Sequence, residues 1–237
     1  MKQEGVSVTL VYPAYNESGR IEKAVTEALK ELAKITNSYE IIIAEDGSSD
    51  GTDRVAKQLS ETHKEVRYLH SDERLGRGRA LSRAFRQAKG AIIVYMDVDL
   101  ATDIGYLRPL IYSIRDGNDI TTGSRLLPSS NVKRSRRRRI TTWSYNALIR
   151  LLFDSAVRDH QCGFKAFNHG RILEILDEVE DTHWFWDTEV LVIAARHGYK
   201  IGEIPINWVE GRETKVDLFS DSLKMGSKAL SLWWRLR

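Results

Sequence analysis

The chain has one cysteine, Cys162, which rules out an intramolecular disulfide framework. It has no apolar run approaching the ~18–20 residues of a spanning helix. Its opening, Met1-Lys2-Gln3-Glu4-Gly5, leads toward a strand without the apolar stretch of a signal peptide, so an intracellular protein that does not itself cross a membrane is expected. There is no internal repeat, and none of the six histidines stands at metal-ligand spacing from another. The net charge of +3 is too small to argue for a nucleic-acid partner by itself. What the chain does have, 42% hydrophobic and 29% charged residues over 237 positions, is enough to bury a core as one domain, or one domain with an appendage.

The stretch that organises the rest is Ala91-Ile92-Ile93-Val94-Tyr95-Met96-Asp97-Val98-Asp99. Short, β-branched and preceded by Gly90, it predicts a buried strand. Asp97 and Asp99 then fall at its C-terminal end, where open α/β sheets place their ligands. No Lys or Arg adjoins them in sequence, so the two carboxylates repel each other unless a cation lies between them. Hard oxygen ligands suit Mg²⁺ or Mn²⁺, ions that commonly bridge to substrate phosphates. A solvated strand end or a helix cap would use the same residues.

Strands are predicted over Val6–Tyr12, Tyr39–Ala44, Val66–His70, the central run, and Asp119–Gly123. Helices alternate with them over Arg20–Ile35, Thr52–Thr62, a stretch opened by Leu75-Gly76-Arg77-Gly78-Arg79, and Tyr106–Arg115. Alternation of this kind predicts a parallel, doubly wound sheet. The second half is less regular. Helices are expected over Ile140–Phe153, Arg171–Val179, Thr188–His197 and Asp221–Arg237, and strands over Gly163–Phe167 and Lys200–Trp208. Pro205 suits an edge position. The loops Pro13–Glu17, Glu45–Asp50, Gly76–Gly78 and Asp97–Asp99 each follow a strand and share one sheet edge, the arrangement that holds a nucleotide. Tyr15 could stack on a base, an Asp in the second loop could accept from it, and Arg77 or Arg79 could reach a phosphate.

Pro13-Ala14-Tyr15-Asn16-Glu17, Glu45-Asp46-Gly47-Ser48-Ser49-Asp50-Gly51-Thr52, Asp97-Val98-Asp99 and Gly123-Ser124-Arg125 together resemble the ordered motifs of family 2 glycosyltransferases with the GT-A fold. The resemblance runs from about Val6 to Val216. In the second half, Arg158-Asp159-His160-Gln161-Cys162-Gly163-Phe164-Lys165-Ala166-Phe167 and Trp186-Asp187-Thr188-Glu189-Val190-Leu191 resemble dolichyl-phosphate glucosyltransferases, with dolichyl-phosphate mannose synthases as close relatives. The resemblance implies a GT-A-like domain over residues 1–216, followed by an amphipathic helix over 217–237. It implies metal-dependent, inverting transfer of a hexose from a UDP- or GDP-sugar to a polyprenyl or dolichyl phosphate at the cytoplasmic face of a membrane. UDP-glucose is the favoured donor and GDP-mannose the alternative. A glycosyltransferase with a glycan acceptor and a non-catalytic nucleotide-sugar or lipid-binding module are the rival readings.

Residue roles follow from the same resemblance. Asp97 and Asp99 match the metal-binding pair, with Mg²⁺ or Mn²⁺ as cofactor and Val98 between them. Pro13, Ala14, Tyr15, Asn16, Glu17 and Arg77 line the nucleotide-sugar site, and Asp46 matches the base-recognising acid. Arg125 matches an arginine near the diphosphate or the acceptor phosphate. Asp159 matches an acid often discussed as a catalytic base, so Asp159, Arg125 and Asp99 are the catalytic candidates. Gln161, Asp187 and Glu189 are candidates for the sugar or acceptor pocket. Arg138, Arg139, Arg212 and Lys215 join Arg125 as candidates for the acceptor phosphate, although Arg212 and Lys215 match the late basic pair with imperfect spacing. Ala101 stands where some mannose synthases carry a glutamine ligand, which weighs against mannose.

Chemistry tests these roles. A phosphate monoester has a second pKa near ~6, so it is largely ionised at pH 7 and needs positioning and exclusion of water more than a base. Asp159 is therefore expected to position the arginine or the sugar. The block Lys133-Arg134-Ser135-Arg136-Arg137-Arg138-Arg139 suits lipid phosphates and an anionic membrane surface. It lacks the interleaved aromatics of a nucleic-acid platform, and no nucleic acid is expected. Trp233 and Trp234 on the last helix suit either an interfacial helix or core packing. Cys162 is expected in the core, His160 near the site. A membrane-protein partner or a homodimer is compatible with the sequence.

Overall fold

The structure, a computed structural model, describes residues 7–210 and 218–237, with side chains described to residue 210 and again from residue 224. Among the described residues, seven strands form one sheet in the order β3-β2-β1-β4-β7-β5-β8. These strands are β1 (Val8–Ala14), β2 (Tyr39–Glu45), β3 (Val66–Leu69), β4 (Ile92–Met96), β5 (Ile120–Ser124), β7 (Phe164–Asn168) and β8 (Ile201–Pro205). Pairing is parallel throughout, except where β7 runs antiparallel between β4 and β5. A second, two-stranded parallel ribbon joins β6 (Asn131–Lys133) to β9 (Asn207–Val209).

Strand alternation sorts side chains into two core layers. Leu10, Tyr12, Ile41, Ile43, Val94 and Phe164 face α1 (Ile21–Ile35), α2 (Thr52–Thr62) and α4 (Leu107–Arg115). Their neighbours Val11, Ile42, Ile93, Tyr95 and Phe167 face α3 (Arg77–Gln87), α6 (His169–Ile175) and α7 (Trp186–Arg196). Helices on both faces of a mostly parallel sheet are the predicted arrangement, and the apolar stripes explain them. On α1 the buried positions are Ile21, Ala24, Val25, Ala28, Leu32 and Ile35, one face of a 3.6-residue repeat.

Boundaries move in four instructive places. Pro13 does not end β1: pairing with β4 stops at Val11, while pairing with β2 continues to Ala14, so Pro13 sits where one neighbour has already left. The helix expected from Ile140 starts four residues earlier, at Arg136, and takes the last four arginines of the basic block into its first turn as α5 (Arg136–Phe153). The strand expected over Lys200–Trp208 divides at Ile206, whose side chain is fully buried; β8 is the sheet edge, which accommodates Pro205. The helix expected over Arg171–Val179 runs instead as α6 from His169 to Ile175.

A third apolar cluster joins Tyr145 and Ile149 of α5, Phe185, Val192 of α7, and Ala229 and Leu232 of α8 (Leu218–Arg235). The last helix is thereby docked on the body along one side. The expected division between residues 216 and 217 lies outside the described residues, as do Arg212 and Lys215.

Candidate active site

Asp97 begins the loop leaving β4. Its Oδ1 accepts from Arg77 Nη2 at 2.7 Å. A Cβ added at Gly163 would fall 2.0 Å from Asp97 Oδ2, so the carboxylate uses space that only glycine leaves. Leu100 turns the chain with φ of 52°, and Asp99 Oδ1 accepts from the Ala101 amide at 2.9 Å. Partial desolvation raises the Asp99 pKa, and the charges of Asp97 and Glu17 push it further in the same direction. A cation would relieve that repulsion. Among the described residues no group of three or more His, Cys, Asp or Glu side chains is arranged around a metal. An ion here would rest on Asp97 and Asp99 and take its other oxygens from a ligand or water, which suits Mg²⁺ or Mn²⁺.

Arg77 opens α3, and its Nη1 donates to Asp187 Oδ2 at 2.6 Å. Asp187 Oδ1 accepts from Lys165 Nζ at 2.8 Å and from the Tyr95 hydroxyl. Lys165 is fully buried and also donates to the Cys162 carbonyl at 2.5 Å. Burial pulls the Lys165 pKa down and pushes the Asp187 pKa up, with Arg77 opposing the latter. Burial also disfavours the charge on Arg77, but Asp97 and Asp187 outweigh it and raise its pKa. The pair that lacks a basic neighbour in sequence therefore gains one in space, from twenty residues upstream.

The loops beside this network are tied to one another. Asp46 accepts the amides of Leu75 and Gly76 at 2.7 and 2.9 Å, anchoring the glycine–arginine loop to the end of β2. Gly76 has φ of +98°, and a Cβ there would lie 2.3 Å from the Thr182 carbonyl. That carbonyl accepts from the Gly78 and Arg79 amides, closing the N-terminus of α3. Asn16, with φ of 55°, donates its amide to Ser48 Oγ and accepts from the Ser49 amide, so the first acidic loop is bound to the second. The Tyr15 ring carries the Arg74 guanidinium at 4.0 Å. Glu17 pairs with Arg20 at 3.2 Å.

A second cluster stands at the end of β5. Arg125 donates from Nε and Nη2 to Asp159 at 2.7 and 2.8 Å, and its amide adds a third bond at 3.0 Å. Asp159 has no exposed surface; burial opposes its charge, but Arg125 prevails and holds its pKa at about 2. The Glu203 carboxylate fixes the segment by accepting from the Arg158 and Asp159 amides. Trp208 of β9 supplies an aromatic floor, with Arg125 at 5.7 Å and Arg134 at 5.2 Å from its ring centroid. Burial and the neighbouring Arg125 lower the Arg134 pKa to about 10. Arg138 pairs with Glu210. Cys162 and Gly163 connect Asp159 to the Asp97 side in one short stretch of chain.

The structure thus brings Asp97, Asp99, Arg77 and Asp187 together, and Arg125, Asp159 and Arg138 together. It assigns other candidates elsewhere. Ala14 and Val98 are buried in the core, so their side chains do not face a ligand. Pro13 is the penultimate residue of β1. Glu189 lies two residues from Asp187 on α7, about 200° around the helix. Its carboxylate accepts from the Glu180 and Asp181 amides and from Arg235 of α8, and it lines a groove with Lys228 and Leu232 on the side of α7 away from Asp187. Arg79 lines a groove with Asp177 and Glu180 on the far side of α3. Arg139 is exposed in the first turn of α5. Gln161 donates to the Met225 sulfur at 3.1 Å. His160 is buried between Asn146 and Ser155, and Cys162 is buried with its pKa raised by that burial. Lys165 and Trp208 receive no role from the sequence, and Arg134 only that of a member of the basic block. For Lys165 a signal exists: it alternates with Phe164 and Ala166 and shares its strand face with Phe167.

Comparison with known proteins bears on the family and the fold. A model of the family described as "Glycosyl transferase family 2" matches residues 9–175. Glycosyltransferase AglD of Haloferax volcanii is 46% identical over 235 residues, 98% of this chain but 38% of that protein. The chain therefore spans well under half of that relative. Dolichyl-phosphate beta-glucosyltransferase of Saccharomyces cerevisiae is 31% identical over 94% of this chain and 72% of the yeast protein. The human protein of the same name is 30% identical over 97% of this chain and 75% of its own length. Among solved structures, glucosyl-3-phosphoglycerate synthase from Mycobacterium tuberculosis, in complex with Mn²⁺, UDP and glucosyl-3-phosphoglycerate, superposes with a TM-score of 0.68 at 19% identity, over 96% of this chain and 78% of that one. Mannosyl-3-phosphoglycerate synthase from Rubrobacter xylanophilus gives the same score at 16% identity, over 98% and 75%. The fold is GT-A-like.

Proposed function

The chain belongs to glycosyl transferase family 2, and we propose that it transfers glucose from UDP-glucose to the phosphate of a polyprenyl phosphate such as dolichyl phosphate, with inversion. One observation carries this reading: the acidic Asp97–Asp99 end, with Arg77, is joined through Cys162 and Gly163 to a separate basic end of Arg125, Arg134 and Arg138 over Trp208. Two anionic substrates need two such subsites. Glucose as the sugar is supported by the names of the yeast and human relatives, and UDP with Mn²⁺ by the mycobacterial complex.

In this reading an acceptor phosphate oxygen attacks the anomeric carbon. The bond from that carbon to the donor's diphosphate oxygen breaks, and UDP leaves with the electron pair. The nucleophile is already ionised near neutrality, so no side chain must take a proton. Arg125 binds the acceptor phosphate, and Asp159 fixes the plane and direction of its guanidinium. Arg134 and Arg138 add positive charge beside it. A divalent ion on Asp97 and Asp99 would supply Lewis-acid stabilisation of the leaving diphosphate. The loops from Tyr15 to Glu17 and around Asp46 hold the nucleotide.

A lipid acceptor requires a membrane surface. Among the described residues no helix is long and apolar enough to cross one. Helix α5 instead presents Ile140, Trp143 and Leu151 on one face, 66%, 66% and 82% exposed, with exposed Arg136, Arg137 and Arg139 at the end nearest Arg134. Leu230 and Trp234 of α8, which packs on α5, are also exposed. Such a face suits peripheral attachment to an anionic leaflet, at about 1 kcal/mol per arginine near the surface, and the cytoplasmic leaflet is the expected one.

The test is a panel of UDP-glucose, GDP-mannose and UDP-N-acetylglucosamine, each labelled in the sugar, with dolichyl phosphate in vesicles, with Mg²⁺, Mn²⁺ or chelator. Label is expected in the lipid fraction from UDP-glucose only, and chelator should abolish it. Label from GDP-mannose instead would reassign the donor. Label in a soluble glycan, or none with any donor, would remove the lipid acceptor from the reading.

A further inference from the structure

Arg77 is held by two carboxylates through different nitrogens, Nη2 on Asp97 and Nη1 on Asp187. The two partners differ in kind. Asp97 is 44% exposed and belongs to the pair placed to hold a divalent ion. Asp187 is 4% exposed and is fixed from behind by Lys165 and Tyr95. Trp184 and Tyr95 flank the guanidinium with their rings, at 5.3 and 5.1 Å from the centroids. The arginine is therefore anchored at the inner end and exchangeable at the outer end. A cation and a guanidinium cannot both take full advantage of the same Asp97 carboxylate, because like charges at this range repel strongly in a partly desolvated site.

We propose that Arg77 is an exchangeable counter-ion: it neutralises Asp97 until a divalent cation takes that carboxylate, and then, still anchored on Asp187, turns its outer nitrogen to the donor's diphosphate. Asp187 is on this account a positioning residue for Arg77 and not part of the sugar pocket. The proposal rests on the donor-site reading above and adds a thermodynamic consequence. Metal alone binds against Arg77. Metal together with a diphosphate binds with its help. The two ligands are coupled through one side chain, and coupling of this kind amounts to about 5- to 150-fold in affinity.

The signs separate this role from a structural one. Arg77→Ala removes the competitor, so Mn²⁺ alone should bind about fivefold tighter or more, while the gain in Mn²⁺ affinity on adding UDP should shrink. Asp187→Asn leaves Asp97 as the only anionic partner of Arg77, so Mn²⁺ alone should bind more weakly. Lys165 and Tyr95 stay on Asp187 Oδ1 when Arg77 is removed, while Oδ2 loses its partner, and thermal unfolding checks that each variant is folded. Arg77→Lys replaces Arg77→Ala should the latter not fold: one nitrogen then stands in for the two that hold Asp97 and Asp187 separately, so none is left to turn outward while the other stays on Asp187, and a reduced UDP-dependent gain is expected.

The experiment is Mn²⁺ titration of the full chain, followed by the electron paramagnetic resonance of the free ion, with and without UDP. Opposite shifts in the two variants, with reduced UDP coupling in the first, are the expected result. Equal weakening in both, or unchanged UDP coupling in a variant at Arg77, would overturn the counter-ion role while leaving the donor site in place. Absence of Mn²⁺ binding by the wild-type chain even with UDP would overturn the donor-site reading itself.

Discussion

At Asp159 the carboxylate receives three N–H bonds from Arg125 and its pKa is held at about 2, so it is a poor proton acceptor near neutrality. If it acts only by directing Arg125, removing either partner removes the same interaction. Asp159→Asn and Arg125→Gln should each lower kcat/KM by about 10²-fold or more, and the double variant should be no worse than the poorer single one. Multiplying losses in the cycle would mean separate roles. His160 offers a second residue-scale test. It is fully buried, its Nδ1 side on Asn146 and its Nε2 on Ser155, and burial lowers its pKa from 6.5 to about 4. The unfolded chain takes up this proton below about pH 6.5 and the folded chain only near pH 4, so stability is lost as pH falls through that window. The loss should approach about 3 kcal/mol, and His160→Gln should flatten it in urea unfolding at a series of pH values. These residues mark what the sequence could and could not say. The Asp97–Asp99 spacing and Gly-Ser-Arg are local and readable. That Glu189 faces away from Asp187, or that Arg77 is the missing counter-charge, depends on helix phase and on a contact across twenty residues.

Elements decide how accurately those residues are held. Gly163 immediately precedes the antiparallel strand β7, inserted between β4 and β5, and its lack of a side chain is what lets Asp97 occupy its place. Gly163→Ala should therefore displace Asp97 by an ångström or more, lowering activity at least tenfold and weakening Mn²⁺ binding, while the thermal midpoint falls by only a few degrees. A wild-type metal affinity in this variant would show that Asp97 is not the ligand. The strand periods and apolar stripes predicted most of the elements. They failed where a charged segment turned helical, since nothing in four successive arginines signals an N-terminus: helix α5 begins there without an acidic residue in its first turn, against its own dipole. They also failed at Ile206, where burial of one side chain, invisible in the alternating pattern, divides a strand and swings Trp208 onto the ribbon with β6.

At the scale of the molecule, the doubly wound sheet follows from alternating patterns that each element carries alone, whereas the neighbourhood of β7 and the docking of α8 on α5 arise only from packing. The exposed face of α5 predicts how the whole protein meets a lipid surface. Binding to vesicles containing anionic lipid should fall steeply as salt rises from 50 to 500 mM on the order of the Debye screening involved, and Trp143→Ser with Leu151→Ser should weaken co-sedimentation without lowering the thermal midpoint. Equal binding to neutral and anionic vesicles would contradict the role given to the arginines. The central claim is that the nucleophile is a lipid phosphate oxygen, and ³¹P resonance of the acceptor reads it directly. Incubation with UDP-glucose, metal and a polyprenyl phosphate should convert a monoester resonance that titrates near pH ~6 into a diester resonance that does not. A monoester signal that persists while glucose is released to water or appears on another acceptor would contradict the account.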